Sequence, residues 1–289
     1  MLHLICNPTS GSGKAQKAAD AVITKLNELN IPFEIHYSER KGHTAQIANE
    51  LTSAGCTDIV VVGGDGTLHD VLNGLQDPKL VNLGLIACGS GNDFAGFAGI
   101  PKDPLAALDI ILNGTTKPTD YLVCSGVRGI NVLGMGVDVD ILKRCYKSKI
   151  LKGKFKYMIS TLMSVFLYKY PHATVIADGK TSYHDCFIIS CANGKRFGGG
   201  IVIAPEAVLD NGTIDFIIVN GMKWYHKPGA LLKLAAGKIL NIKQTEFVHA
   251  TTVSAKFDTP CDVNIDGELY SDLALDVSIV PSGLNMYRP

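Results

Sequence analysis

The chain has 289 residues, room for one large domain or two ordinary ones, and its 46% hydrophobic and 19% charged content excludes a disordered polymer. Its formal net charge is +0, so no overall field draws it to nucleic acid or to a membrane, and an electrostatic partner must be met by a local patch. None of the 8 cysteines forms a C-x-x-C pair, Met1–Cys6 lacks the features of a signal peptide, and no apolar stretch reaches the about 18 residues of a membrane span. The reading is a reduced, cytoplasmic protein with no nucleic-acid partner.

In chain order, Leu2–Cys6 is a short apolar run stopped by Asn7-Pro8. Lys14–Asn30 carries Ala18, Val22, Leu26 and Leu29 at helical spacing. Phe33–Tyr37 reads as a strand, His43–Ala54 as a helix, Asp58–Val62 as a β-branched strand and Asp65–Leu75 as a helix. A strand over Leu83–Ala87 and a helix over Asp103–Leu112 follow. Short buried runs alternating with helices imply an α/β domain built on a parallel sheet.

After Tyr121 the pattern changes. Val137–Tyr168 is basic and helical, and Trp224–Leu240 reads as one inserted helix. Strands are expected at Ala173–Ala177, Cys186–Cys191, Ile214–Val219, Val248–Phe257, Asp262–Ile265 and Leu273–Val280, separated by Gly- and Asp-rich turns. This is the pattern of an antiparallel β-sandwich. The predicted division is an α/β domain over residues 1–125 and a β-rich domain over 126–282, with the tail 283–289 a candidate to return to the first.

Three glycine-rich turns follow buried strands. Asn7-Pro8-Thr9-Ser10-Gly11-Ser12-Gly13-Lys14 opens the first helix, where free N–H groups favour an anion; it does not satisfy the Walker A spacing. In Gly63-Gly64-Asp65-Gly66-Thr67, backbone amides can face a polyphosphate while the carboxylate reaches a metal or a ribose hydroxyl. Gly89-Ser90-Gly91-Asn92-Asp93-Phe94 is the third. Turns at the carboxyl ends of strands in an open α/β sheet are where ligands bind, and three together can enclose a nucleotide.

In this order and spacing, the three motifs resemble the catalytic domain of the diacylglycerol kinase family, which includes sphingosine and ceramide kinases. The resemblance spans nearly the whole chain, because Asn264-Ile265-Asp266-Gly267-Glu268 is similar to that family's D-G-E segment. Cys88 stands where proline is common, Ser90 where threonine is usual, and Asp70 where glutamate is commoner. The resemblance implies an ATP- and Mg2+-dependent kinase of phospholipid metabolism acting on a lipid hydroxyl, with diacylglycerol the default and phosphatidic acid the product.

By the same resemblance Glu268 is the general base and its neighbour Asp266 tunes it or helps hold metal. Asp65 and Asp93 serve the nucleotide–magnesium end, and Asp120 matches an acid linked to magnesium through water. Asn7, Pro8, Thr9, Ser10, Gly11, Thr44, Gly63, Gly64, Gly66, Thr67, Ser90 and Asn92 line the nucleotide pocket. Thr44 is equally readable as a first-turn residue of its helix. The turn around Val208, Asn211 and Thr213 resembles a structural magnesium loop, although Asn211 replaces an acid and an ordinary β-turn fits as well.

From Ile141 to Ala177 there is no Asp or Glu, while Lys143, Arg144, Lys147, Lys149, Lys152, Lys154, Lys156 and Lys169 interleave with Tyr146, Phe155, Leu162 and Phe166. This stretch is a candidate face for peripheral association with an anionic membrane surface. A homodimer is among the assemblies left open. Two rival readings are an NAD kinase, which also uses G-G-D-G-T, and a non-catalytic nucleotide-binding or lipid-sensing protein.

Overall fold

A computed structural model describes residues 1–147, 153–271 and 273–289, with the side chains of 147 and 153–158 left aside. The first half alternates β1 (Leu2–Cys6), α1 (Ser10–Glu28), β2 (Phe33–Tyr37), α2 (His43–Ser53), β3 (Asp58–Gly63), α3 (Asp65–Gly74) and β4 (Asn82–Ala87). The short α4 (Asp93–Phe97), α5 (Pro104–Asn113) and β5 (Thr116–Cys124) complete it. Strands β2, β1, β3 and β4 lie side by side and are parallel. Their β-branched and leucine side chains, Leu4, Ile5, Val60, Val61, Leu83 and Ile86 among them, are buried by helices. Parallel pairing therefore places every strand-to-helix turn of this domain on one edge of the sheet.

The second half contains β6 (Val127–Gly129), β7 (Val132–Gly136), α6 (Val137–Lys147), α7 (Gly153–Leu167), β8 (His172–Ala177) and β9 (Lys180–Ala192). The two-residue strands β10 (Arg196–Phe197) and β11 (Ile201–Val202) form a small ribbon. Then come β12 (Ile214–Asn220), α8 (Lys227–Ala235), β13 (Thr245–Ala250), β14 (Thr252–Phe257), β15 (Val263–Ile265), β16 (Glu268–Tyr270) and β17 (Leu275–Tyr287). One layer pairs β13, β12, β9, β7, β15 and β16; the other pairs the start of β9 with β8, then β14, β17, β5 and β6. Leu122, Met135, Val175, Ile189, Phe216 and Val277 fill the space between the layers. Ile217 and Val219 face the other way, onto α6, α7 and α8. Strand β12 is buried on both faces for that reason.

Several sequence expectations are corrected. The helix expected from Lys14 is regular from that residue onward, but it is preceded by an irregular turn in which Gly11, Ser12 and Gly13 take φ of 60°, 60° and 87°. Val248–Phe257 is two strands in different layers: the chain turns at Thr251, where Thr251 and Thr252 amides donate to the Asp178 carboxylate at 2.9 Å. Trp224–Leu240 is α-helical only over Lys227–Ala235, with a 3-10 turn before it at Trp224–His226 and another at Ile239–Asn241 after Gly237, whose φ of 69° ends the α-helix. The helical stretch over Val137–Tyr168 divides into α6 and α7, and its residues 148–152 lie outside the described residues.

Strand β17 is longer than expected. Its first part pairs with β14, β5 runs antiparallel along it from Val277 to Tyr287, and Asn285 and Met286 pair in parallel with Asn82 and Leu83 of β4. Leu284 and Met286 thereby enter the core of the first domain, each 0% exposed. Leu284→Ala should cost about 2–5 kcal/mol through lost burial and a residual cavity. The check is the midpoint of a urea unfolding curve, and a shift of under about 1 kcal/mol would show that this strand end is not part of the core.

Candidate active site

The three turns touch through bare backbone. A Cβ on Gly64 would stand 2.8 Å from Gly89 Cα, and one on Gly11, whose φ is 60°, would lie 1.8 Å from the carbonyl oxygen of Cys88. Only glycine allows this approach, so the first and third turns close against each other and against the second. Cys88 N–H donates to Gly63 O at 2.7 Å, and Asn92 donates to Gly89 O at 3.0 Å, folding the third turn. Burial pushes the Cys88 thiol up to about 11, which leaves it an inert apolar filler.

Two cavities border these turns. The larger, about 430 Å³, is lined by Asn7, Thr9, Ser10, Thr44, Gly64, Gly66, Thr67 and Glu268, together with Ser38–Lys41 and Asp70. Asn7 shapes its floor: its Oδ1 accepts from Thr9 Oγ1 at 2.9 Å and its own N–H donates to Val62 O at 3.2 Å. Thr44 is buried and donates to Asp70 at 2.9 Å. The smaller cavity, about 200 Å³, contains Asp65, Gly91, Asp93, Asn131, Asp138, Gly198, Gly199, Asn264 and Asp266. A wider groove of about 860 Å³ around Ala173, Tyr183, Asp185 and Glu246 holds none of the motif residues.

Asp65 and Asp93 converge beside Gly91. Asp65 accepts from the amides of Asp93 and Phe94 at 3.3 and 3.4 Å, and Asp93 accepts from Gly199 N–H at 2.7 Å. Burial pushes both carboxyls above their usual range, and the charge of Asp93 raises Asp65 further. Two desolvated carboxylates with oxygen donors only are suited to a hard cation. Sequence reading missed the Gly198-Gly199-Gly200 turn that caps Asp93, although three successive glycines were a visible signal. It also missed Lys41 and Asp138, which no motif marks.

The D-G-E turn separates the two cavities, and its acids play unlike parts. Asp266 is buried and accepts from the amides of Ile130, Asn131 and Val132 at 2.9, 2.9 and 3.1 Å, with His69 Nδ1 at 3.3 Å. Its oxygens are occupied, so it anchors the turn to β7 and α3 and is not free to bind metal or tune a proton. Burial pulls the His69 imidazole down, but the Asp266 carboxylate outweighs it and the net direction is upward. Glu268 reaches the larger cavity, 3.1 Å from Lys41 Nζ, with its Oε1 3.8 Å from where a Cβ on Gly66 would be.

Other sequence candidates fall elsewhere. Asp120 is 1% exposed, and its carboxylate accepts from the amides of Gly212 and Ser282, both at 2.7 Å. It fixes the Val208–Thr213 turn and the irregularity in β17, and it lines neither cavity, so it stands apart from Asp65 and Asp93. In that turn Asn211 Oδ1 accepts from Thr213 N–H at 3.0 Å, the geometry of a self-capped β-turn. Ser90 is exposed and lines neither cavity. The acid-free stretch gains partners from outside itself: Lys143 pairs with Asp262 at 3.0 Å and Arg144 with Asp140 at 2.7 Å. Side chains of Lys147, Lys149, Lys152, Lys154 and Lys156 lie outside the described residues.

An apolar pocket adjoins the smaller cavity, between the outer face of β9 and β12 and helices α6, α7 and α8. Ile141, Val165, Ile188, Val219, Leu231 and Leu234 line it, and Asp138 and Phe197 belong to both spaces. Asp138 accepts from Asn264 Nδ2 at 3.0 Å, and burial pushes its carboxyl up to about 6.

Known proteins share this layout. The diacylglycerol kinase catalytic domain matches residues 1–124, and the YegS C-terminal NAD kinase β-sandwich-like domain matches residues 131–288. A Mycobacterium tuberculosis diacylglycerol kinase is 27% identical over 296 residues, covering 99% of this chain and 94% of its own. A Bacillus subtilis diacylglycerol kinase is 26% identical over 269 residues, covering 92% and 89%. A Cronobacter sakazakii "Probable lipid kinase YegS-like" is 29% identical over 285 residues, covering 94% and 93%. A solved structure described as a diacylglycerol kinase from Bacillus anthracis has the same fold, with a TM-score of 0.80 at 22% identity over 100% of this chain and 96% of that one. The chain belongs to the diacylglycerol kinase family and is a lipid kinase, and a kinase of this family takes its phosphoryl group from ATP.

The raised carboxyls carry a stability consequence. A carboxyl group whose folded value lies above its unfolded one favours the fold below the unfolded value, and that contribution is lost as pH rises through the folded value. At neutral pH the free protein therefore holds Asp65 and Asp93 at a cost. Asp65→Asn should raise the Tm of nucleotide-free protein at pH 7, with the gap closing toward pH 4, while abolishing phosphoryl transfer. A variant no more stable than wild type at pH 7 would contradict the desolvated dyad.

Proposed function

We propose that this kinase phosphorylates diacylglycerol to phosphatidic acid, using ATP in the larger cavity and magnesium at Asp65 and Asp93. The observation that carries the reading is the position of Glu268, beside Gly66 of the second turn, at the boundary between the nucleotide-sized cavity and the smaller one that leads to the apolar pocket. Bound magnesium would neutralise the phosphate charge and the two carboxylates.

The chain's own groups supply the rest. Free amides of the three turns receive the phosphates, and the β- and γ-phosphates are directed toward Asp65 by the tight Gly64–Gly89 contact. The apolar pocket accepts part of an acyl chain, which holds the headgroup hydroxyl near the polar cavity. Glu268 takes the hydroxyl proton as the oxygen attacks the γ-phosphorus and the bond to the β-bridging oxygen breaks. Lys41, whose Nζ lies 3.1 Å from its Oε2, holds the Glu268 side chain at the cavity. Catalysis rests mainly on positioning.

The route to the membrane is supported by exposed apolar side chains beside the pocket. Leu162, Met163, Phe166 and Leu167 project from α7, and Trp224 and Tyr225 precede α8. Lys227 Nζ donates to the carbonyls of Val165 and Phe166 at 2.8 and 3.3 Å, tying the two helices together at that rim. No described helix is long and apolar enough to cross a membrane, so the rim would lie in the interface.

Radioactive ATP offered with diacylglycerol, ceramide, sphingosine or monoacylglycerol vesicles, and separately with NAD, tests the substrate, with products identified by mass spectrometry. Label appearing only in NADP, or in none of the lipids, would sink the reading. Glu268→Gln should lower kcat about 10²–10⁴-fold with little change in KM, and near-full activity would remove the base assignment. Changing Leu167 and Trp224 together to Ser should weaken sedimentation with anionic vesicles while leaving activity on a detergent-solubilised, short-chain lipid intact. Unchanged sedimentation would remove the rim.

A further inference from the structure

On the outer edge of the sheet, β1 and the edge strand β2 bring two histidines and a glutamate together. Parallel register sets His3 directly opposite Glu34, and His36 follows Glu34 by two residues on the same face. His3 Nδ1 lies 3.5 Å and His36 Nε2 3.8 Å from the same oxygen, Glu34 Oε2, and the three ligand atoms all fall within 4.8 Å of one another.

The two nitrogens are buried and make no hydrogen bond, since their approach to Glu34 has ion-pair distance without hydrogen-bond geometry. The His3 side chain is only 7% exposed, so its Nδ1 is a desolvated ring nitrogen facing a half-exposed carboxylate. The imidazoles stack, with centroids 5.9 Å apart and planes 22° off parallel. Two ligands about 2.1 Å from a tetrahedral zinc stand about 3.4 Å apart, close to the separations found here. Glu34, 53% exposed, leaves the solvent side open to a fourth ligand.

We propose that His3, Glu34 and His36 form a binding site for a divalent transition cation, zinc foremost, that staples the edge strand β2 to β1. Two imidazoles and one carboxylate select zinc, cobalt or nickel over magnesium and calcium, which prefer oxygen ligands alone. The ion is distinct from the one at Asp65 and Asp93, because none of His3, Glu34 and His36 lines either cavity. Strands that carry the Asn7–Ser10 and Ser38–Lys41 walls of the nucleotide cavity would be joined by it.

Full-length protein freed of metal with a chelator and titrated with zinc chloride in a calorimeter tests the site. One equivalent should bind in the micromolar range or tighter and raise the Tm, and cobalt should give the visible bands of a four- or five-coordinate nitrogen–oxygen site without thiolate charge transfer. Glu34→Gln and His36→Ala should each lose the stoichiometric event and the cobalt bands. The chelated variants should melt with the chelated wild type, and His249→Ala should bind as wild type does. Absence of stoichiometric zinc binding in the wild type, or its persistence in both site variants, overturns the proposal. Neither outcome bears on lipid phosphorylation, which is measured with magnesium alone.

Discussion

Backbone packed against backbone is the constraint on which the catalytic edge depends. Gly64 meets Gly89, and Gly11 meets the Cys88 carbonyl, at distances no side chain can share. Parallel strands bring the three turns to one edge, but the contact of main chain with main chain turns three separate loops into one surface of amides. Asp65 and Asp93 then converge as a consequence, since each projects from a turn already locked to the other. Their desolvation follows from the same closeness.

Much of this was legible in the chain. Alternating buried runs and amphipathic stretches gave the parallel sheet, and the first two motifs named Asn7, Thr9, Ser10, Gly64, Gly66 and Thr67 of the nucleotide-sized cavity, while its Ser38–Lys41 wall carried no motif. Less legible were contacts whose partners are remote in sequence. Asp120 looked like a magnesium-linked acid because nothing in Pro118-Thr119-Asp120-Tyr121 shows that Gly212 and Ser282 amides claim its oxygens. Val248–Phe257 looked like one strand because β-branched residues run through it, and only Asp178, seventy residues earlier, marks the turn. Lys143 and Arg144 lost part of their free charge to Asp262 and Asp140, one of them across the fold.

The D-G-E turn shows how neighbouring acids divide labour. Asp266 takes φ of 52° and spends its carboxylate on two amides of the β6–β7 connection and the first amide of β7, with His69 and Tyr270 closing the cluster. Gly267, with φ of 95°, lets the chain reverse at once. The result is a rigid arm that delivers Glu268 to the cavity from a separate domain. A buried polar network of this kind specifies one position for the arm, because any other would strand its amides and its carboxylate.

Strand β17 gives that arm its frame of reference. It leaves the sandwich beside β14, keeps β5 along its flank and finishes as a parallel neighbour of β4. Two domains sharing one hydrogen-bonded strand cannot swing open like jaws without tearing a ladder, so the gap between phosphate turns and glutamate is fixed at folding. The molecule works as a fixed anvil, and its substrate must come to it.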